Sequence, residues 1–401
     1  MKQVIFTSLL LVCLLNGSCV PSQHFDARLK SIVKPYLFSI AGWELRAIPQ
    51  EMGQWLFGEK EKIDDKVQLV TEYFTSVKRI KALKSEIEAA NADNRDSALA
   101  PLEEELNRLQ EQKMALAGTV ERIIEKQISD TLTQQGIFNP VIESKISFPP
   151  VNFKLEQLPC LLVISPRDRI ESIREIILKP SLILEEKEDI EARVDELGVS
   201  SLVVRLGGIA TYPTLVDSEA SLRSIIDTTA EEWLHQYLAF KPLGFRYLLD
   251  LTGLSRNYEI ATMNETIAGM VSKEIGSMVY EKYYSEYENG ASQAPESEFD
   301  FNREMREIRK TVDAYLARGE IEQAEGFMEQ KRRYLASKGY YIRKLNQAYY
   351  AFHGTYADKP AFISPISLEL KELRNQSASL KDFLNTAAAM TSHQDLRDSI
   401  K

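Results

Sequence analysis

The chain has 401 residues, of which 27% are charged and 44% are apolar, and this balance argues against a disordered chain or a polytopic membrane protein. One small core rarely holds so many residues, so we expect roughly two or three packed units. The formal net charge of -10 would repel a phosphate backbone, which argues against a nucleic-acid-binding protein.

The amino terminus has the order of an export signal. Lys2 is followed by an apolar run over residues 4–15, then by the small residues Gly17 and Ser18, and then by Cys19. The run is too short to predict a membrane-spanning helix by itself. Residues 1–19 are therefore predicted to be an export signal or a lipoprotein anchor.

Residues 15–19 resemble a bacterial lipobox, although Asn16 stands where a lipobox usually has leucine. The resemblance implies cleavage ahead of Cys19, lipidation of that cysteine and anchoring on the extracytoplasmic side of a membrane. A cleaved soluble signal and an uncleaved anchor are the alternatives. After such cleavage Cys160 would be the only other cysteine, so we expect no disulfide framework.

A helical hairpin is predicted next, within a helical region that spans residues 20–148. Apolar residues recur every three or four positions over residues 64–90 and again over residues 102–123. Turn formers occupy residues 91–96 between them, so we expect two antiparallel helices with coiled-coil-like packing. A structural arm or spacer is the simplest role for such a hairpin, and binding an envelope protein is the alternative.

Residues 149–290 are predicted to form an α+β domain. Short apolar runs bounded by proline or glycine predict strands at residues 158–165, 201–206 and 209–212. Helices are predicted at residues 170–178 and 185–197, and helical patterns resume from about residue 221.

A linker is predicted near residues 289–295, ahead of a C-terminal helical region that spans residues 291–401. Its helices are predicted at residues 302–317, 321–337, 340–352 and 368–388. The predicted fold class of the whole chain is mainly α with a small β-sheet (α+β).

One helical segment, residues 228–238, combines apolar faces with ionisable groups. Its apolar side chains predict a buried helix, yet it carries Glu231, Glu232 and His235. Buried charges need partners or a cation, because an unpaired buried carboxylate costs several kcal/mol or becomes neutral. Glu231 and His235 are one helical turn apart, which is the spacing by which one helix holds a metal ion.

A second helix is predicted to start near Thr262, with Thr262 or Asn264 as its cap, and to carry Glu265. Gly269, Ser272 and Gly276 share the face of Glu265, and such small residues let another helix approach closely. If that neighbour is the helix of Glu231 and His235, Glu265 becomes a third metal ligand.

These two segments resemble the active-site helices of the gluzincin zinc metallopeptidases, which read His-Glu-x-x-His and Asn-Glu-x-x-Ala. The resemblance implies a zincin-like core, with His235 and Glu265 as zinc ligands and Glu232 as the catalytic base for hydrolysis of a peptide or protein substrate. The chain departs from the family at Glu231, which stands where the first His ligand is expected. A set of two Glu and one His is harder and more negative, and it favours zinc less strongly than the family set does.

Other interpretations of the same residues stay open. The ionisable groups could form a buried salt-bridge network with Arg246 or Arg256, and the chain could be a catalytically inactive descendant that acts as an envelope binding or scaffold protein. An enzyme that uses paired carboxylates without a metal is a third alternative, although no glycine-rich phosphate loop is present.

An aromatic segment near residue 350 could complete the site. Tyr350 or His353 could donate a hydrogen bond to the tetrahedral oxyanion, and His353 could replace the missing His ligand. The alternative is an aromatic helix end that packs on the core.

Overall fold

The computed structural model describes residues 23–39, 66–92, 96–142, 147–255, 257–287, 299–353 and 365–400. The export signal with Cys19 and the predicted linker at residues 289–295 lie outside the described residues. Among the helices that are described, none is long and apolar enough to cross a membrane.

The described chain is mainly helical with two small sheets, which confirms the α+β fold class. The helices are α1 (Gln23–Val33), α2 (Lys66–Ala92), α3 (Asp96–Gln134), α4 (Leu184–Asp195), α5 (Leu222–Leu238), α6 (Pro242–Leu251), α7 (Tyr258–Tyr284), α8 (Phe301–Ala317), α9 (Ile321–Ser337), α10 (Gln347–His353), α11 (Ile366–Gln376), α12 (Leu380–Ala388) and α13 (His393–Ser399). The strands are β1 (Phe153–Glu156), β2 (Cys160–Pro166), β3 (Arg174–Leu178), β4 (Val199–Arg205), β5 (Gly208–Ile209) and β6 (Thr214–Asp217).

Helices α2 and α3 form the predicted antiparallel hairpin. Ile80 and Leu83 pack against Leu109 at one end, and Arg79 donates to both carboxylate oxygens of Glu105 at 2.8 and 2.9 Å. The other end of the hairpin enters the main core of the molecule, where it meets α5 and α7. The hairpin is therefore part of the packing that supports the site helices.

The first sheet has the order β3-β2-β4, with both pairings antiparallel. The prediction of a helix at residues 170–178 is wrong, because residues 174–178 form β3. A short apolar run fits a helix or a strand equally well by periodicity alone. Residues 174–178 form a strand because β3 satisfies the backbone hydrogen-bonding groups along one edge of the buried strand β2.

The second sheet has the order β1-β6-β5 and supports the candidate site. Strands β1 and β6 are parallel although the whole first sheet lies between them in sequence, and β5 pairs antiparallel with β6 at the sheet edge. Helix α3 covers the free edge of β1, where carboxylates of Glu121 and Glu125 accept the amide hydrogens of Leu155 and Phe153. Helix α5 packs against β5 and β6.

The C-terminal helices contact two different parts of the molecule. Helix α10 packs on the first sheet, whereas α11 to α13 contact α7 or one another in the main core. The helix predicted at 340–352 is shorter, because Arg343 is held by Glu191 and Asn346 caps a helix that starts at Gln347. The helix predicted at 368–388 is two helices, since Ser379 caps a new one.

Candidate metal centre

Helix α5 is held in one rotational setting by buried polar contacts. The indole Nε1 of Trp233 donates to the carbonyl of Pro149 at 2.7 Å, and the amide of Gln236 donates to the carbonyl of Thr211 at 2.7 Å. Leu234 and Leu238 on the helix are fully buried. In this orientation of α5, Glu231 and His235 face α7.

Helix α7 approaches α5 through the predicted small residues. A Cβ atom built on Gly269 would lie 3.7 Å from Oε1 of Glu231, and one built on Gly276 would lie 1.8 Å from Oδ1 of Asp227. The helix begins earlier than predicted, at Tyr258, where the side chain of Asn257 accepts the amide hydrogen of Ile260. Thr262 therefore lies inside the helix and does not cap it.

The side chains of Glu231, His235 and Glu265 converge as predicted. One potential ligand atom from each lies within 4.8 Å of the other two, and Nε2 of His235 is 3.6 Å from Oε2 of Glu265. Two atoms bonded at ~2.1 Å to one tetrahedral ion lie about 3.4 Å apart. The His235–Glu265 pair fits that spacing, and Glu231 offers a carboxylate oxygen within 4.8 Å of both. The nitrogen and oxygen donors suit a divalent metal ion.

Asn264 orients the imidazole of His235. Its Oδ1 lies 2.9 Å from Nδ1 of His235, and Asn264 itself is 1% exposed. In the tautomer in which Nδ1 donates this hydrogen bond, the lone pair of Nε2 faces the two carboxylates. Metal-binding histidines commonly hold their second ring nitrogen in this way. Asn264 was a capping candidate in the sequence, and the tertiary structure gives it a different role.

Tyr247 is a site residue that the sequence did not indicate. It lies on α6, between the two site helices, and its hydroxyl donates to Oε1 of Glu265. This contact leaves Oε2 of Glu265 facing His235. No spacing or motif marks Tyr247 in the sequence, because its position depends on how α6 packs against α7.

Glu232 lies beside the edge strand β5. A Cβ built on Gly208 would stand 2.7 Å from Oε1 of Glu232 and 2.5 Å from Cγ2 of Thr228, so only glycine lets the strand come this close. Burial raises the pKa of Glu232 to about 8; the carboxylates of Glu231 and Glu265 add to the rise, and His235 opposes it. Glu232 therefore holds a proton readily near neutral pH, as a group that takes up and releases protons should.

The cluster is negatively charged, with three carboxylates around one imidazole. Burial would lower the pKa of His235, but Glu265, Glu232 and Glu231 outweigh burial and raise it. Carboxylates that crowd each other in a partly buried place repel, and a cation relieves that repulsion. The electrostatics thus agree with the geometry in favouring a bound cation.

The structure does not bring Tyr350 to the cluster. Tyr350 is fully buried in a separate core formed by α8 and α9, with its ring 5.6 Å from the guanidinium of Arg309. Buried there, it cannot serve the oxyanion role that the sequence suggested. Its environment is that of a core residue.

His353 is placed by contacts with its own aromatic neighbours. Its ring lies 4.3 Å from that of Tyr349 and 4.9 Å from that of Phe352, and the helix α10 packs on β2 and β4.

The two arginines that the sequence offered as salt-bridge partners for the cluster are Arg246 and Arg256. Arg246 is exposed, and Arg256 lies outside the described residues.

Comparisons with known proteins add no family: no protein-family model, no curated protein and no solved structure matches the chain. The candidate centre therefore rests on its own residues and geometry.

Proposed function

We propose that this protein is an exported, membrane-anchored metallopeptidase of gluzincin type. The observation that carries the proposal is the convergence of Glu231, His235 and Glu265 from two helices, with Nε2 of His235 3.6 Å from Oε2 of Glu265. The anchored Nδ1 of His235 and the adjacent Glu232 support the same reading.

The roles follow from chemistry. Glu231, His235 and Glu265 would hold a zinc ion, which would supply Lewis acidity and lower the pKa of water towards neutrality. Glu232 would accept that proton and return it to the leaving amine, for which a pKa near neutrality is suited. Tyr247 and Asn264 would hold two ligands in place.

The edge strand β5 is the proposed place for a peptide substrate. One side of β5 pairs with β6, and its other side is the edge of the sheet. An extended peptide can add to such an edge through backbone hydrogen bonds. Gly208 in that strand would bring the peptide backbone close to Glu232.

A second function is favoured by Glu231 itself. Because the first position has Glu in place of His, the donor set is harder and more negative than the family set. A catalytically inactive descendant, which uses the helical hairpin to bind or scaffold an envelope protein, is the alternative proposal.

Metal content and hydrolysis separate these functions. Purified full-length protein should contain about one zinc per chain by elemental analysis, and Glu265→Gln should lose it. Glu281→Gln is the matched control, because Glu281 is exposed on the same helix α7. Wild-type protein should also cleave a fluorogenic peptide library.

Glu232→Gln should keep the metal and lose hydrolysis. A protein that binds zinc through Glu265 and cleaves no peptide would support the inactive descendant. A protein with no stoichiometric metal, in which Glu265→Gln changes nothing, would overturn both the centre and the peptidase.

Membrane anchoring is proposed through lipidation of Cys19 and has its own test. In a bacterial host, incorporation of labelled palmitate should be lost in Cys19→Ala and retained in Cys13→Ala, since only Cys19 stands at the end of the lipobox-like segment. Retention of the label in Cys19→Ala would contradict the lipoprotein proposal.

A further inference from the structure

A cavity separates the helical hairpin from the carboxyl ends of two parallel strands. Helices α2 and α3 form one wall, and the segments that follow β1 and β6 form the other. Crevices at the carboxyl ends of parallel strands are frequent ligand sites. The cavity volume of about 290 Å³ lies near the lower end of the ~300–1,000 Å³ range of small-molecule sites, so it suits a small ligand.

This cavity is separate from the candidate metal centre. Ser218 and Glu219 in its wall precede α5, whose first residue is Leu222. Glu231 follows about nine residues later, or ~14 Å along the helix axis. The residues that line the cavity are therefore different from those of the proposed metal centre.

One ammonium group in the cavity has a weak partner. Lys113 is part-buried, and among the described residues its Nζ donates to the hydroxyl of Ser218 over 3.3 Å. Its Nζ also lies 6.0 Å from the ring centroid of Tyr73. Lys84, by contrast, is paired with Glu219 at 2.7 Å. A partly desolvated ammonium with one long hydrogen bond is stabilised by an added anion.

The hydroxyl of Tyr73 and the pKa of Lys113 agree with a missing anionic acceptor. The hydroxyl of Tyr73, which lines the cavity, is buried and has no hydrogen-bond partner within the described chain. Burial, with a contribution from the nearby Lys84 and Lys81, lowers the pKa of Lys113 in spite of the carboxylates of Glu219 and Asp217, so an added anion at Lys113 would stabilise its charged form.

The rest of the cavity is largely apolar. Ile80, Met114, Ala117 and Leu155 contribute to its walls. Met114 is 69% exposed at the rim, and a methionine side chain adapts its shape to an apolar partner. The lining thus matches a ligand with an anionic end and an apolar body.

We infer that this cavity binds a small aliphatic carboxylate, whose carboxyl group pairs with Lys113 and whose hydrocarbon chain lies against Met114 and Leu155. Ser218 donates its hydroxyl hydrogen to the same carboxyl group.

The surrounding charges select a monoanion. Glu156 also lines the cavity, whereas the charge of Glu219 is paired with Lys84, so a phosphate dianion would bring one charge more than Lys113 can neutralise and would be repelled by Glu156. A cation would be repelled by Lys113, which takes the place where it would bind. One negative charge matches the one weakly partnered ammonium.

Octanoate is the probe for this inference, used with the full-length chain. Isothermal titration calorimetry should show saturable binding, and Lys113→Met should weaken it about tenfold or more, since a hydrogen bond to a charged group is lost. Lys66→Met, at an exposed lysine of the same hairpin that is not among the charges acting on Lys113, is the matched control and should bind as the wild type does. Met114→Gln, at an exposed position that tolerates substitution, should weaken octanoate binding with the fold intact.

A residue-specific measurement accompanies the titration. Octanoate should protect Lys113, and not Lys66, from reductive methylation followed by mass spectrometry. Chelation of metal should leave octanoate binding unchanged, which separates this inference from the proposed peptidase. Absence of saturable binding, or equal binding by Lys113→Met, overturns the inference. Binding of inorganic phosphate as tight as that of octanoate overturns the carboxylate assignment.

Discussion

Nδ1 of His235 and Oδ1 of Asn264 lie 2.9 Å apart, and this contact joins the two helices of the candidate metal centre. It does so next to Glu265, the residue that follows Asn264 in sequence. One short segment of α7 therefore supplies both a proposed ligand and the group that orients another.

The Asn264 contact can be tested through metal affinity. Asn264→Ala should weaken zinc binding by about 10- to 100-fold, because His235 loses the partner that holds its ring. Asn264→Asp should bind zinc at least as tightly as wild type, since a carboxylate accepts the same hydrogen bond more strongly. Competition with a coloured chelator measures both, and equal affinity in Asn264→Ala would argue against this role.

Tyr247→Phe removes the hydroxyl that donates to Glu265 and little else. We expect zinc affinity to fall by about tenfold, because Glu265 is then free to turn away. Tyr258→Phe is the control, since Tyr258 is 55% exposed and is not a proposed ligand or ligand partner. If both variants bind zinc alike, Tyr247 does not position Glu265.

Alanine substitutions at the adjacent glycines Gly207 and Gly208 are expected to affect stability differently. Gly208→Ala should destabilise the protein by about 1–3 kcal/mol, because the new Cβ meets the side chains of Thr228 and Glu232. It should also reduce peptide hydrolysis if Glu232 is the base. Gly207→Ala should be tolerated, since nothing lies within 4 Å of a Cβ there. Urea unfolding of the metal-free protein compares the two, and equal losses would contradict the packing described.

The close contact between α5 and α7 can be tested with a second pair of glycine-to-alanine substitutions. Gly276→Ala should lower the free energy of unfolding by about 1–3 kcal/mol, because its Cβ would overlap the carboxylate of Asp227. Gly326→Ala, on α9 with open space around it, should raise that free energy by up to about 1 kcal/mol through helix propensity. A neutral Gly276→Ala would show that the helices do not approach so closely.

The stability of the metal-free protein should fall as the pH rises from about 4.5 to about 8. Glu232 has a pKa of about 8 when folded and an ordinary value of 4.5, so in this window the folded state keeps a proton that the unfolded state has lost. His235 acts in the same direction, because its raised pKa adds stability below 6.5 that is lost as the pH rises through the folded value.

Thermal unfolding of chelator-treated protein at several pH values measures this trend. Glu232→Gln should flatten it. Added zinc should reverse its direction, because metal binding requires deprotonated ligands and tightens as the pH rises. A metal-free protein whose stability rises over this range would contradict the raised pKa of Glu232.

Local sequence patterns determined the helical hairpin and much of the candidate centre. The recurrence of apolar residues predicted α2 and α3 because a helix that buries one face must repeat every three or four positions. The one-turn spacing of Glu231 and His235, with the small residues Gly269 and Gly276, predicted which side chains would meet. Each of these features is contained within a few helical turns.

The features that depend on distant partners became visible only in the folded chain. Residues 174–178 form a strand because β2 needs a neighbour, and β1 pairs with β6 across an intervening sheet. Tyr247 enters the centre, and Tyr350 is buried away from it, through the packing of whole helices. Periodicity shows which face of a segment is apolar, but not which element will cover that face. The sequence therefore predicted the candidate ligands Glu231, His235 and Glu265, but not Tyr247 or the role of Asn264, which hold two of them in position.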